Sequence, residues 1–197
     1  MNTEDIGKAA SQRFSSSAQA TIDFLASPSY AVFLSLVEQT HATLAAGNKL
    51  MFFGNGGSAA EATHLAAEFL GKCVDDVGPQ AAIALNDSIS AITAISNDWD
   101  FSEIFSRQVQ ALVKPGDLLI GMTTSGSSPN VLKALATGRA AGANTSLWTS
   151  DKFAGNAADF DYLIKVPTTQ TPRVQEVHLQ IGHILSEVVA KMFLGHP

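Results

Sequence analysis

Apolar residues recur at helical spacing through the first part of the chain. The pattern predicts helices over residues 3–25 and 28–46, separated at Ser27-Pro28 and closed by Gly47, because proline suits a first helical turn and glycine a C-terminal cap. The first helix contains the weakly amphipathic segment SSSAQA, which indicates either fraying or dependence on a partner subunit. We interpret both helices as packing elements. The apolar positions of the second are Val32, Phe33, Leu36, Val37 and Leu44.

From Lys49 onward, the pattern changes to short apolar runs that alternate with helical segments. Short strands that are apolar on both faces and joined by helices indicate a parallel sheet covered on both sides. We therefore predict an α/β fold with a doubly wound sheet of about five parallel strands, preceded by the N-terminal helices. The apolar runs are LMFF, AAIAL, DLLIGM, TSLWT and YLIKV. A last helix over residues 172–194 has an apolar side made of Val174, Val177, Ile181, Ile184, Leu185 and Val188.

Composition narrows the classes of function. A chain of 197 residues with 46% hydrophobic content is expected to form one domain. Its net charge of −6, without blocks of like charge, disfavours nonspecific binding to nucleic acid or anionic membranes. The first twenty residues lack a signal-peptide pattern, and nowhere do eighteen apolar residues run together, so we expect a cytoplasmic protein. The single cysteine, Cys73, fits a reducing compartment and is expected to be an ordinary thiol.

Ligands of doubly wound folds bind where strands end and helices begin, and the first such turn follows LMFF. It reads GNGGS, residues 54–58, and its small residues let backbone N–H groups approach a ligand closely. Ser58 followed by Glu61 matches a capping box that opens a helix, whose N-terminus favours an anion or an oxygen-rich ligand. The turn has the spacing of neither a P-loop nor GxGxxG, which disfavours nucleotide binding.

The second turn, TTSGSSPN, follows DLLIGM and combines hydroxyl side chains with a glycine. Ser128 is the expected N-cap and Pro129 the first helical residue. Hydroxyls and free amides at a helix N-terminus suit a phosphate monoester. One such loop alone is better explained as an ordinary capped turn, but two at predicted strand ends favour a binding cleft.

Proton-transfer residues follow on two helices. His64 and Glu68 are four residues apart, so they share a helix face about 6 Å apart along the axis. On the last helix His178 and His183 are about 140° apart and are not expected to serve one site. Gln175 and His183 lie on one side, separated by about 12 Å of helical rise, so they serve either one ion or two separate sites. His41 and His196 lack such a context.

These motifs resemble the sugar isomerase (SIS) fold and, within it, the phosphoheptose isomerase family. The likeness covers nearly the whole chain. A TSGSS loop alone indicates only a SIS domain, whereas His64, Glu68, Gln175 and His183 together are more specific. The resemblance implies one SIS domain over residues 1–197, in which helices in 1–47 take part in oligomer packing and 48–197 form the sugar-phosphate-binding core. The matching motifs, in order, are GNGGS, THLAAE, ISNDWDFSEIFSRQ, TTSGSSPNVLKA and RVQEVHLQIGH.

The resemblance also implies an activity. Family members convert sedoheptulose 7-phosphate into D-glycero-D-manno-heptose 7-phosphate for lipopolysaccharide or other surface glycans. They are cytoplasmic homotetramers with sites between subunits, and many bind zinc. The metal ligands implied for this chain are His64, Glu68, Gln175 and His183. The substrate contacts implied are Asn55, Gly56, Gly57, Ser58, Glu68, Asn97, Asp98, Thr123, Thr124, Ser125, Ser128 and Gln175.

Moving the carbonyl group needs a base, an acid and stabilisation of an enediolate. We predict Glu68 as the base and His183 as the acid. A carboxylate or imidazole held on zinc is not free to carry protons, so catalytic, structural and inhibitory roles for the ion stay open. The chain departs from the family pattern at Ala59, Lys72 and Pro172, and these departures bear on the sugar-end contacts.

Two other readings of the fold remain. A non-catalytic SIS adaptor of the replication-initiator-associating type keeps the glycine and hydroxyl loops but loses parts of the acid/base set. Retention of His64, Glu68 and His183 favours the enzyme. A sugar-phosphate sensor within a transcription regulator lacks support, because no DNA-binding segment accompanies the domain.

Overall fold

A computed structural model describes residues 1–195, so His196 lies outside the described part of the chain. Five strands, all parallel, form one sheet. The strands are β1 (Leu50–Gly54), β2 (Ala82–Ala84), β3 (Leu118–Met122), β4 (Asn144–Ser150) and β5 (Tyr162–Val166). The helices are α1 (Thr3–Leu25), α2 (Pro28–Ala45), α3 (Gly57–Leu70), α4 (Ile89–Asp98), α5 (Ser106–Leu112), α6 (Pro129–Ala140) and α7 (Thr171–Phe193). Two 3₁₀ turns cover Phe101–Glu103 and Ala157–Asp159.

The strand order is β2-β1-β3-β4-β5, so the chain reverses its direction of winding between β1 and β3. These two strands are neighbours in register from Leu50 opposite Leu118 to Gly54 opposite Met122. Ligands of open α/β sheets bind at the carboxyl ends of strands beside such a reversal. The glycine turn after β1 (residues 54–58) and the hydroxyl loop after β3 (residues 123–130) therefore leave the sheet side by side.

Side chains of the central strands alternate between two apolar cores. Phe52 packs on the side of α2, α3 and α7, where it stacks on Phe69 at 5.9 Å between ring centroids. Phe53 points to the opposite side and packs against Phe105, which precedes α5. Every residue of β1 and β3 is buried. Burial on both faces explains why these strands are continuously apolar, and it confirms the predicted doubly wound fold.

The N-terminal helices follow the predicted bounds closely. Pro28 occupies the first turn of α2, as expected. The SSSAQA segment is an uninterrupted part of α1, and its Ser17 donates a hydrogen bond to Glu176 of α7 at 2.6 Å between oxygens. Contacts with α7 thus hold a segment whose own amphipathicity is weak.

One expectation about α7 is wrong. Ile184 and Val188, assigned to its buried side, are 47% and 37% exposed. The sheet and α3 contact only part of the apolar arc of α7, including the buried Ile181 and Leu185. In residues 1–195 no single helix is long and apolar enough to cross a bilayer, and only the bent pair α1 and α2, at 72°, satisfies length and composition together.

Candidate active site

The glycine turn enters α3 earlier than the sequence predicts. Gly56 has φ +57° and is the N-cap residue, so α3 begins at Gly57 and the predicted Ser58–Glu61 capping box is absent. Ser58 is buried in the first turn, and its N–H donates to the carbonyl oxygen of Asn55 at 3.0 Å. A positive φ, which glycine adopts readily, accounts for this early entry.

Asn86 and Asn130, which sequence reasoning missed, hold the same turn in place. The Asn55 and Asn130 side-chain amides exchange hydrogen bonds of 2.9 and 2.8 Å. The Asn86 side chain accepts from the N–H of Gly54 at 3.2 Å and donates to its carbonyl oxygen at 2.9 Å. Asn130 lies in the first turn of α6, so the amide pair connects the glycine turn to the hydroxyl loop. The motif PN in the sequence was the only available signal.

The hydroxyl loop is organised by its own side chains. The Thr123 hydroxyl lies 2.8 Å from that of Ser128 and 3.2 Å from that of Ser125. Ser128 is the N-cap of α6, as predicted, although its hydroxyl bonds Thr123 instead of a helix amide. Ser150 at the end of β4 donates to the Thr124 carbonyl oxygen at 2.6 Å. These bonds fix a row of hydroxyls at a helix N-terminus, an arrangement suited to an anion.

Helices α3 and α7 pack closely side by side. A Cβ atom on Gly182 would overlap the Leu65 side chain, and one on Gly57 would overlap Gln175. The two contacts come in the same order along both helices, so the helices run parallel. Gly182 therefore permits the approach that brings their polar side chains together.

Three of these side chains converge. His64 Nε2 lies 2.7 Å from His183 Nε2 and 3.3 Å from Glu68 Oε1. One ligand atom from each of the three residues lies within 4.8 Å of the other two. The site is open to solvent on the side of His64, whose side chain is 47% exposed.

This group fits a metal ion. Two imidazole nitrogens and a carboxylate oxygen directed at one point are ligands that zinc accepts, and three protein ligands leave a coordination position for substrate. The two Nε2 atoms are so close that one must donate a hydrogen to the other or both must bind an ion.

Three further residues assigned to the site, Gln175, Asn97 and Asp98, make other contacts. Gln175 lies against Gly57, about two helical turns before His183. Asn97 and Asp98 end α4, where the Asn97 amide donates to Asp98 at 2.8 Å and both are exposed. The roles assigned to these three residues stay predictions.

The departures from the family pattern are spread along α3 and α7. Ala59 lies in the first turn of α3, Lys72 follows that helix, and Pro172 occupies the first turn of α7. A proline in a first helical turn costs no hydrogen bond. Nothing in the structure assigns Lys72 a contact with the converging group.

Two further ionisable residues are buried nearby. Glu61, one turn before His64, is 8% exposed, and its Oε2 has no hydrogen-bond partner within residues 1–195. Burial raises its pKa to about 7, opposed by a hydrogen bond with Ser58. His178 is fully buried, and its Nε2–H donates to the Thr149 carbonyl oxygen at 3.3 Å. Burial lowers its pKa to about 4, opposed by that hydrogen bond. As expected, His178 and His183 do not share a site.

Fold and site together define a sugar isomerase domain protein, and the SIS domain family matches residues 13–150. The phosphoheptose isomerase of Paramagnetospirillum magneticum is 49% identical over 160 residues, covering 80% of this chain and 82% of the relative. That of Thermodesulfovibrio yellowstonii is 45% identical over 151 residues, covering 77% and 75%. The solved phosphoheptose isomerase of Neisseria gonorrhoeae superposes with a TM-score of 0.86 at 33% identity, covering 93% of this chain and 98% of that one.

The chain belongs to the phosphoheptose isomerase family. This membership confirms the resemblance seen in the motifs and places the protein among enzymes. It favours the isomerase over the adaptor.

Proposed function

We propose that the protein converts sedoheptulose 7-phosphate into D-glycero-D-manno-heptose 7-phosphate, the first step toward activated heptoses of surface glycans. The observation that carries this proposal is the convergence of His64, Glu68 and His183 on the seam between α3 and α7. A base, an acid and an electrophile are what an aldose–ketose isomerisation requires.

The hydroxyl loop holds the phosphate of the substrate. The hydroxyls of Thr123, Ser125 and Ser128 are already linked to one another by hydrogen bonds. Little conformational entropy is therefore lost when these hydroxyls donate to a bound anion instead. The sugar lies along the glycine turn, where Gly56 and Gly57 leave backbone amides accessible. The remaining sugar contacts of the proposal are Asn55, Ser58, Thr124, Asn97, Asp98 and Gln175.

Proton transfer takes place at the converging side chains. Glu68 removes a proton from C1 while His183 donates a proton to the oxygen on C2, which gives an enediol. The enediol then loses the proton of the oxygen on C1 and receives a proton on C2, so that the carbonyl group moves to C1. Each proton removed is returned, and no oxidant or reductant is needed.

Zinc is the proposed ion, held by His64, Glu68, His183 and Gln175. When bound, it would polarise the sugar oxygens as a Lewis acid. Glu68 and His183 carry a proton only when they are not fully engaged as ligands. If these residues hold a catalytic ion, metal removal should lower turnover. If they act as proton carriers that the ion blocks, metal removal should raise turnover.

The active form is proposed to be a cytoplasmic homotetramer whose sites lie between subunits. Leu25 of α1 and Ile184 of α7 line one apolar surface pocket and are 53% and 47% exposed. Large exposed apolar side chains grouped in this way are typical of protein interfaces. A second subunit on this surface would also bring further polar side chains toward the seam.

The test is aldose formation from sedoheptulose 7-phosphate by purified protein. Wild type and His183→Ala are compared as purified, after chelation, and with zinc restored. We expect turnover in wild type and a loss of about a thousandfold in the variant, because a proton-transfer group contributes a factor of about 10² to 10⁴. Turnover lost on chelation and regained with zinc assigns the ion a catalytic role, whereas increased turnover makes it inhibitory.

Binding of the ketose phosphate by isothermal titration calorimetry is the control in each arm. Absence of turnover in every arm, from an intact oligomer that still binds the sugar phosphate, would contradict the proposal and favour the adaptor. A His183→Ala variant with wild-type turnover would keep the isomerase but remove the assigned acid.

A further inference from the structure

A concave surface adjoins the hydroxyl loop and includes Ser125, one of the residues proposed to hold the substrate phosphate. It is a cavity of about 850 Å³ between that loop, α6 and the connection from β4 to β5. This connection contains only the 3₁₀ turn Ala157–Asp159 in place of a covering helix, so the surface beside α6 stays open. We call it the Phe153 groove, lined among others by Ser127, Leu132, Arg139, Lys152, Phe153 and Phe160.

The groove has an aromatic wall. Phe153 and Phe160 form an edge-to-face pair with ring centroids 5.9 Å apart, and both are only partly buried. Leu132 of α6 adds aliphatic surface opposite them. Partly exposed aromatic rings at the edge of a cavity present apolar faces on which a flat ring of a ligand can stack.

The groove also contains two cations, Arg139 and Lys152. Lys152 is exposed and has no ion-pair partner within residues 1–195. Arg139 donates to the Ala158 carbonyl oxygen at 2.6 Å and forms an ion pair with Asp161 at 3.9 Å, so its charge is already matched. One lining carboxylate, Asp159, opposes these two cations. Asp159 and Asp161 balance the two cations, so the groups that the groove offers to a phosphate are the Lys152 ammonium and the Ser127 hydroxyl.

The aromatic wall touches the hydroxyl loop directly. Gly126 has φ +71°, and a Cβ atom on it would lie 2.8 Å from the Cα and Cβ atoms of Phe153. A Cβ atom on Gly155 would lie 2.7 Å from the Phe153 ring. Phe153 is thus held between two glycines, one of which belongs to the loop that is proposed to bind the substrate phosphate.

We propose that the Phe153 groove binds a nucleoside diphosphate, with the base against Phe153 and Phe160 and the phosphates toward Lys152 and Ser127. A sugar phosphate would leave the aromatic wall uncovered, and an uncharged aromatic ligand would leave the cations unused. The cavity volume lies in the range that holds ligands of nucleotide size. Because the groove and the substrate phosphate share the hydroxyl loop, two anions there repel each other, and each weakens the binding of the other.

The first experiment titrates ADP into the intact, metal-loaded protein by isothermal titration calorimetry, beside adenosine and pyrophosphate. We expect ADP to bind more tightly than either fragment, because each fragment uses only one part of the groove. Lys152→Ala should weaken ADP binding by about tenfold, since a charged hydrogen bond to phosphate is removed. Phe160→Leu should weaken ADP and adenosine while leaving pyrophosphate unchanged.

The matched control is Lys114→Ala, which makes the same change of charge just before β3 begins, at the opposite edge of the sheet. It should bind ADP as wild type does. Equal weakening by both lysine variants would reduce the effect to overall charge and overturn the site. Pyrophosphate binding as tightly as ADP would overturn the role of the aromatic wall, and absence of ADP binding at millimolar concentration would overturn the proposal entirely.

A second titration separates the groove from the substrate site. The dissociation constant of sedoheptulose 7-phosphate is measured at rising ADP concentration. We expect it to rise severalfold and then level off, because both ligands can be bound at once. An increase that continues in proportion to ADP would mean direct competition in the substrate site and would contradict the proposal. Neither experiment requires turnover, so its outcome is separate from that of the proposed function.

Discussion

Glu61 and His178 are buried ionisable residues whose pKa values move in opposite directions. The folded protein keeps a proton on Glu61 that the unfolded chain releases between pH 4.5 and about 7, so stability falls as pH rises through that range. The folded protein keeps His178 neutral while the unfolded chain takes up a proton below pH 6.5, so stability falls as pH drops from 6.5 to about 4. In the pH range that both residues share, a rise in pH lowers the stability contributed by Glu61 and raises that contributed by His178.

Replacing Glu61 by glutamine should leave His178 to determine how the free energy of unfolding depends on pH. We expect the free energy of unfolding of Glu61→Gln to rise with pH from about 4 to 6.5, and the variant to exceed wild type above pH 7, where burying a charged carboxylate costs stability. Urea unfolding at pH 5, 6, 7 and 8 measures this. Parallel stability curves for variant and wild type would mean that Glu61 titrates normally in the fold.

Glu68→Gln tests the base. The isosteric amide keeps the shape of the side chain but cannot accept the C1 proton, so turnover should fall by about a thousandfold or more. Ketose phosphate binding should stay within a few-fold of wild type. The measurements are single-turnover kinetics and calorimetric binding. Glu38→Gln, on the exposed side of α2, is the matched control, and an unchanged turnover number in Glu68→Gln would remove Glu68 from the mechanism.

The hydroxyl loop carries a prediction about affinity. Ser125→Ala together with Ser128→Ala should raise KM for the sugar phosphate about tenfold or more, because two hydrogen bonds to a charged group are lost. Turnover at saturation should change less. Ser35→Ala, in exposed surface of α2, serves as the control. A double variant with unaltered KM would place the phosphate in another loop.

At the scale of elements, strands and helices follow from the sequence because their signals are local. Continuous apolar runs indicate the strands, and Pro28 and Pro129 indicate the first turns of α2 and α6. The start of α3 does not follow, because Ser58 and Glu61 match a capping box that the positive φ of Gly56 makes unnecessary. The spacing of Ser58 and Glu61 does not show that a glycine with positive φ can begin the helix without a side-chain cap.

The seam between α3 and α7 was predictable only in part. His64 and Glu68 follow from i,i+4 spacing, but His183 is 119 residues away from His64. Only the family resemblance joined them, since sequence periodicity carries no information on which helices meet. The amide pair of Asn55 and Asn130 was missed for the same reason.

Gly182 sets the distance between the two helices. Gly182→Ala places a methyl group against Leu65, so α7 must shift, and a displacement of about 1 Å at reacting groups costs up to about a hundredfold in rate. Turnover should fall while the circular dichroism of the fold is kept. Adding Leu65→Ala makes room and should restore part of the turnover. A double variant no better than Gly182→Ala would show that the spacing of the seam is not what limits the reaction.

At the scale of the whole molecule, the exposed apolar surface around Leu25 and Ile184 predicts self-association. Ile184→Glu places a charge in that surface and should reduce the mass measured by light scattering from that of the proposed tetramer to that of a smaller species. Leu112→Glu, at a residue of similar exposure on α5, should leave the mass unchanged. An unaltered mass for Ile184→Glu would place the subunit interface elsewhere.

The proposed acid and base lie on a seam between two helices, away from the strand ends. In the proposed mechanism, the turns that leave the sheet recognise the sugar phosphate, whereas the side chains facing each other across α3 and α7 carry out the chemistry. Losing His183 would therefore leave a receptor that still reports the concentration of its ligand but no longer consumes it. On the proposed mechanism, a single substitution at His183 separates an enzyme from a sensor.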